Sequence, residues 1–371
     1  MSRFALVFML VLQKKEIMKT KKGRSPILLA FIDILSKNPS FLMSFSYVFP
    51  LTMATAFFSC TKSGDTTWED VSTTITIESK SITPVTSGTL DLFVYNLDKL
   101  RRLDSHSRQK LGWGFPLTVD VGSRSGMKRI IALANWPAKE LEDWNVISSL
   151  DGIGMLSCNL VDEDPASPRM TGSATITAGA PSAPSINMQA LSAKIKLASV
   201  CCDFSDKVYK GFTMKNARAY LTNVCVNTTI SPDDAPGTAF VNIGGYSEGD
   251  MKNFGAPELL ERNIYGEIGA IKRTVDIALF CYPAEIAAED AGKPQTKLVL
   301  EGEIGGRKYY YPIRLGDYTG GVIRRDMTYR IDLKITRLGG DDPEASLLPG
   351  TFEANVQVLP WETTDSQTVN F

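Results

Sequence analysis

Short segments in which apolar and polar residues alternate recur along the chain, and they constrain its fold more than any other feature. The clearest is Tyr329–Thr336, in which every second residue is apolar and the residues between are Arg, Asp, Lys and Thr. Successive side chains of a strand point to opposite faces of a sheet, so this period of two predicts a strand with one buried face. Glycine readily adopts positive φ, so Gly305–Gly306 suits a primed hairpin turn. Many short strands with little helix predict an all-β fold of the β-sandwich class.

The strands are expected in two runs, which a stretch rich in Ala, Pro, Ser and Gly at Ala178–Ser185 separates as a linker. This division predicts an N-terminal β-sandwich domain at residues 60–185 and a C-terminal one at residues 186–371. One short helix is expected within Ala138–Leu150, and one helical turn at Glu258–Asn263. The predicted strands are Thr73–Ile77, Thr89–Asn96, Leu117–Val121, Met127–Asn135, Ser173–Thr177, Ala193–Val200, Ala217–Val226, Thr274–Tyr282, Lys297–Glu303, Arg307–Leu315, Tyr329–Thr336 and Phe352–Val358.

An uncharged segment, Met43–Cys60, ends in Ser-Cys and is followed at once by polar residues. This pattern is typical of a bacterial lipoprotein signal, in which the cysteine becomes the acylated first residue of the mature protein. A plain secretory signal and a membrane-spanning anchor are the alternatives, although no stretch reaches the roughly 20 clean apolar residues of a spanning helix. Residues 1–59 are therefore predicted to be a signal peptide. The basic sequence MKTKKGR makes Met18 an alternative start.

The composition offers little catalytic chemistry. The formal net charge of -1 argues against a nucleic-acid partner, which would need a basic excess. The only histidine, His106, lies in a charged segment where we expect an exposed loop, so a Ser-His-Asp triad is not expected. No cofactor, metal site or catalytic residue is predicted, and we expect no enzyme activity. If Cys60 is acylated, an odd number of cysteines remains without Cys-x-x-Cys spacing, so we interpret them as small buried residues: Cys158, Cys201, Cys202, Cys225 and Cys281.

Several short motifs resemble the fimbrillin family of outer-membrane fimbrial (type V pilus) subunits from Gram-negative anaerobes. The lipoprotein-type Cys60 is followed by strands similar to that family's first strands. Later come a turn similar to its Pro-Met-Ser-Gly, an Ala-Lys-Ile entry to its second domain, and its closing strands. The matching segments are Leu90–Tyr95, Ile130–Asn135, Pro168–Gly172, Leu191–Ile195, Tyr329–Ile335 and Val356–Trp361.

The resemblance implies two tandem transthyretin-like β-sandwich domains and assembly with other fimbrial subunits by strand donation. In that family, stalk subunits lose their first strand to an Arg-directed protease. No arginine lies between Cys60 and Leu100, so the anchor or accessory type is favoured. The implied location is a fimbrium on the outer membrane, with the lipid on Cys60 as the membrane contact and host or bacterial surface ligands as further partners. The alternative is a surface glycan-binding lipoprotein, for which we expect a cluster of exposed aromatic residues.

The C-terminal segment Phe352–Phe371 is the predicted element of strand exchange. A strand with one apolar face must bury it in its own sandwich or in a neighbour's groove. For Phe352–Val358 the chain's own sandwich is favoured, whereas the last two apolar residues follow a polar stretch and favour a neighbour. The residues assigned to exchange are Phe352, Ala354, Val356, Val358, Val369 and Phe371.

Overall fold

The computed structural model describes residues 69–79, 88–112, 115–181, 183–230, 237–285 and 295–361. All of them belong to one compact unit of the chain, Trp68–Phe371. Within these residues the fold is all-β, as predicted. None of the helices described there has the length and apolar character needed to cross a membrane.

The N-terminal strands form one seven-stranded sheet in the order β3-β2-β5-β7-β8-β1-β4, with β6 outside it. Their bounds are β1 Asp70–Ser79, β2 Thr89–Asn96, β3 Leu103–Lys110, β4 Leu117–Arg124, β5 Gly126–Ala134, β6 Ser157–Asn159, β7 Met170–Ala178 and β8 Ser185–Ala190.

The C-terminal strands form two four-stranded sheets, β14-β10-β17-β18 and β15-β9-β20-β21, and the short pairs β11-β13 and β16-β19. A further short pair joins β12 to β6 of the N-terminal part. The bounds are β9 Ala193–Cys202, β10 Met214–Thr222, β11 Val224–Cys225, β12 Asn227–Thr229, β13 Phe240–Val241, β14 Glu261–Ile264, β15 Arg273–Cys281, β16 Ala284–Glu285, β17 Lys297–Ile304, β18 Arg307–Arg314, β19 Val322–Ile323, β20 Met327–Ile335 and β21 Phe352–Pro360.

Helices are short and lie in the connections. The α-helices are α1 Trp144–Ile147, α2 Leu150–Gly154, α3 Glu248–Phe254 and α4 Gly316–Thr319, and the 3-10 helices are Ala138–Leu141, Leu160–Asp162 and Pro257–Leu259. The single helix expected within Ala138–Leu150 is therefore divided. Asp143 and Ser149 explain the breaks, because their side chains accept hydrogen bonds from the backbone N–H groups of Asn145 and Gly152 and start new helices.

The seven-stranded sheet curls until its two end strands meet. The Ser105 hydroxyl in β3 donates to the Gly122 carbonyl in β4 at 2.6 Å, and the Arg124 N–H of β4 donates to Asp104 at 2.8 Å. The side chains that point inward form the smaller core, which contains Ile75, Leu92, Ile130, Ile186 and Met188 among others. Burying these apolar side chains is the main driving force for the closure.

The larger core joins the N-terminal and C-terminal strands. It includes Phe93, Tyr95 and Leu133 from the outer face of the first sheet, and Ile195 and Leu300 from the two C-terminal sheets. Apolar packing therefore continues across the predicted domain boundary.

Two details of the predicted organisation change, and one is confirmed. The segment expected as a linker connects β7 to β8, and β8 pairs with both β1 and β7 in the first sheet. The segment Glu258–Asn263 is not a helical turn, because only Pro257–Leu259 is helical and β14 begins at Glu261. The hairpin at Gly305–Gly306 is confirmed, with positive φ of 61° and 81° at its two glycines.

Candidate functional site

The strand predicted for exchange, β21, lies at the edge of its own sheet. It pairs with β20 over its whole length, from Phe352 opposite Ile335 to Pro360 opposite Met327. The side chains of Phe352, Ala354 and Val356 are half-buried and pack against the larger core. Val358 differs from them, because 47% of its surface is exposed.

Beyond β21, Trp361 fixes the end of the strand. Its side chain is fully buried and lies 5.7 Å from the ring of Phe280 between centroids. The ammonium group of Lys194 lies 4.8 Å from the centroid of the same indole. The backbone N–H of Trp361 donates to the backbone carbonyl of Asp326 at 3.0 Å. The predicted exchange residues Val369 and Phe371 lie outside the described residues, as does Cys60.

One side of β21 has no ladder partner among the described strands, since β21 ends the sheet order. Its side chains alternate between a half-buried apolar face and an exposed polar face with Glu353, Asn355 and Gln357. Unpaired backbone N–H and C=O groups on such an edge can pair with an added strand, and apolar side chains of that strand can fill neighbouring pockets. The edge can therefore accept a strand from another chain.

The first strand, β1, is an interior strand of the curled sheet. It pairs antiparallel with β4 over eight positions and parallel with β8 over four. The side chains of Ile75 and Ile77 on β1 are fully buried in the smaller core. Removal of β1 would open a groove between β4 and β8 that is lined by apolar side chains.

The first arginines after Cys60, Arg101 and Arg102, lie between β2 and β3. Arg101 makes an exposed ion pair with Asp151 at 2.7 Å. The backbone of Arg102 pairs with that of Ser149 in an isolated antiparallel β-bridge. Cleavage after Arg101 would remove β2 together with β1. Since β2 lies between β3 and β5, and residues 90–95 are fully buried, that cleavage would destroy the sheet rather than open one groove.

His106 is exposed, as predicted, but it lies on the strand β3 and not in a loop. Its Nε2 atom is 2.9 Å from Oδ1 of Asp91, which is fully buried on β2. The imidazole stacks on Phe93 with 4.3 Å between ring centroids. Within the described part of the chain, no hydroxyl or thiol side chain hydrogen-bonds to His106, and the geometry is that of a structural pair.

A buried polar network lies where the N-terminal and C-terminal strands meet. Arg169 donates to both carboxylate oxygens of Glu140, at 2.8 and 3.0 Å, and stacks over Trp136 at 4.9 Å. The Glu163 carboxylate accepts hydrogen bonds from the backbone N–H of Arg169 at 3.1 Å and from the Tyr282 hydroxyl at 2.8 Å. Burial raises the pKa of Glu163 to about 7, although these hydrogen bonds oppose the shift.

The five cysteines of the described residues, from Cys158 to Cys281, are buried, as expected, and all five are free. Burial raises the pKa of the thiols of Cys158 and Cys202 to about 12, so neither is a reactive thiolate at neutral pH. Groups of three or more metal-ligating side chains do not occur in the described ranges.

The comparisons with known proteins agree with this arrangement of strands. No family model matches the chain, and no curated protein matches it. Among solved structures, a fimbrilin from Porphyromonas gingivalis matches with a TM-score of 0.59 and 16% identity, over 78% of this chain and 97% of that one. The tip fimbrial protein of Porphyromonas gingivalis, solved with a C-terminal truncation, matches with a TM-score of 0.52 and 14% identity, over 79% of this chain and 100% of that one. The chain therefore has the all-β fold of these fimbrial proteins.

Proposed function

We propose that the chain is a structural, non-enzymatic subunit of a bacterial surface fimbria, of the anchor or accessory type, that supports adhesion. The observation that carries the proposal is the match to two fimbrial proteins over nearly their whole length. The open edge of β21 supports it independently, because subunits that assemble by strand addition need such an edge.

In this proposal, lipid on Cys60 holds the mature protein in the outer membrane. Residues 1–59 form the signal peptide, and two sandwiches follow. The pairing of β8 within the first sheet supports a boundary after Ala190 in place of the predicted one after residue 185. The strand β1 stays with the mature chain, since the first arginine lies beyond β2 and no arginine precedes it after Cys60.

Intact mass and N-terminal chemistry of the protein from sheared fimbriae and from outer membranes test the proposal. We expect the protein in the fimbrial fraction as a chain that begins with an acylated Cys60 and contains peptides from residues 68–79. Absence from fimbriae would contradict the fimbrial role. A mature chain that begins at Arg102 or Leu103 would instead indicate stalk-type processing and contradict the anchor assignment.

A further inference from the structure

A shallow groove lies at one end of the C-terminal strands, between the start of β10 and the end of β14. The two strands pair at Ala217 and Ile264, and they meet again only at a bridge between Met214 and Ile268. Between these points, residues 215–216 face a turn at residues 265–267. The gap has a volume of about 460 Å³, which lies within the usual range for small-molecule sites.

The turn on one side of the groove is held by Arg273. The guanidinium of Arg273 donates to the carbonyl of Tyr265, and to that of Glu267 at 3.3 Å. Gly266 has a φ of 79°, and a Cβ there would lie 3.2 Å from a guanidinium nitrogen of Arg273. The fold itself therefore fixes the turn and the direction in which its side chains leave it.

Tyr265 is held away from the protein by this turn. Its side chain is 81% exposed, which makes it the most exposed aromatic residue of the described chain. The other three exposed aromatics lie on other segments: Trp144 on α1, Phe212 before β10 and Tyr318 on α4. An exposed aromatic ring on a fixed turn offers an apolar face that a ligand can cover.

Polar side chains line the rest of the groove. Glu267 receives hydrogen bonds from Lys215 at 2.9 Å and from Thr213 at 2.7 Å. Asn216, at a bulge with a φ of 49°, donates to Glu303 at 3.0 Å, and Asn263 is exposed on the opposite wall. The groove thus combines amide and carboxylate groups with one exposed ring.

We infer that this groove is a binding subsite for a neutral saccharide. The apolar C–H face of a pyranose would stack on the ring of Tyr265, while the amides of Asn216 and Asn263 and the carboxylate of Glu267 would take its hydroxyl groups. The charge of Lys215 is balanced by Glu267, so the groove lacks the unpaired cation that a phosphate or sulfate would need. The inference does not depend on fimbrial assembly.

Ligand-observed saturation-transfer NMR on the purified full chain tests the inference, with N-acetylglucosamine, galactose and mannose as separate probes. At least one sugar is expected to bind in the millimolar range, which corresponds to about 4 kcal/mol. Tyr265→Ala removes the stacking surface and should weaken binding about tenfold or more. Tyr265→Phe keeps the ring and should bind like the unchanged protein.

Tyr318→Ala, which removes an exposed tyrosine outside the groove, is the matched control and should leave binding unchanged. Tyr265 is so exposed that its loss should not affect folding, and circular dichroism checks this. The inference is overturned if no probe sugar binds at roughly 20 mM, or if Tyr265→Ala binds as the unchanged protein does. If the unchanged protein binds no sugar and Tyr265→Ala loses association with another fimbrial protein, the groove is instead a site for a protein partner.

Discussion

At the scale of single residues, the charge state of Glu163 affects the stability of the folded chain. It accepts hydrogen bonds from the backbone N–H of Arg169 and from the Tyr282 hydroxyl where the N-terminal and C-terminal strands meet, and the charge of Asp162 lies near it. Its pKa is raised from 4.5 to about 7 because burial disfavours the carboxylate. Between these two values the folded state binds a proton that the unfolded state has already released, so this group lowers the free energy of unfolding as pH rises through the window.

We therefore predict that Glu163→Gln stabilises the folded state progressively more, relative to the unchanged protein, as pH rises. Relative to the unchanged protein, the variant should gain roughly 2 kcal/mol in the free energy of unfolding between pH 5 and pH 8. Urea unfolding at several pH values measures the difference. Glu142→Gln changes an exposed glutamate on the neighbouring connection and should show no such trend. A difference between Glu163→Gln and the unchanged protein that stays flat from pH 5 to pH 8 would refute the prediction.

Residue-scale inference from sequence succeeded for the apolar positions and failed for the buried polar ones. Periodicity identifies Ile75 and Ile331 as core residues because the alternation itself reports which face is buried. It does not show that Asp91, within an otherwise apolar strand, reaches His106 on the next strand. Arg169 is similar: its ion pair with Glu140 bridges the start of β7 and a 3-10 helix, and no local pattern indicates such a contact.

At the scale of elements, most long strands with an apolar face were predicted, whereas β3 and β8 were missed. The strand β8 was missed although Ile186, Met188 and Ala190 give it a buried face. The bounds predicted for β2 match the structure at both ends. The strand β3, with the sequence LDSHSRQK, was missed because it lies at the edge of the sheet and has almost no apolar side chains. Its place is fixed by its pairing with β2, which is a long-range contact. The strand predicted at Phe352–Val358 is present as β21, yet no sequence feature showed that Val358 would be exposed.

The position of β21 rests on its pairing with β20 along its whole length and on the buried side chain of Trp361 at its end. We predict that deletion of Thr363–Phe371 leaves a folded, cooperatively melting protein that no longer associates with partner subunits. Thermal melting and co-purification with fimbriae measure the two effects.

Two variants refine this test of the tail. Val369→Ser combined with Phe371→Ser should lose association as the deletion does, whereas Thr364→Ser, which keeps the apolar residues, should retain it. A truncated protein that co-purifies with its partners at the normal ratio would exclude the tail from exchange. A truncated protein that fails to fold would instead assign the tail to the chain's own core.

At the scale of the whole molecule, the chain was predicted to divide into two sandwiches, but the larger core extends across the predicted boundary. The larger core contains residues from both sides of the predicted boundary, and β12 of the C-terminal part pairs with β6 of the N-terminal part. The Ala190 N–H also donates to the buried Asp326 carboxylate at 3.0 Å. Local periodicity cannot reveal such packing, because it reports only whether a face is buried and not what covers it.

A continuous core couples the unfolding of its parts, so we predict one thermal transition for the chain rather than two. Calorimetric and van't Hoff enthalpies should then agree. Trp136→Ala, which empties a buried site in the larger core, should lower the stability of the whole chain by about 3–5 kcal/mol and keep the transition single. Trp144→Ala is the matched control, because that indole is exposed, and it should change the melting temperature little. Two separate transitions, only one of which moves in Trp136→Ala, would show that the sandwiches unfold independently despite their shared core.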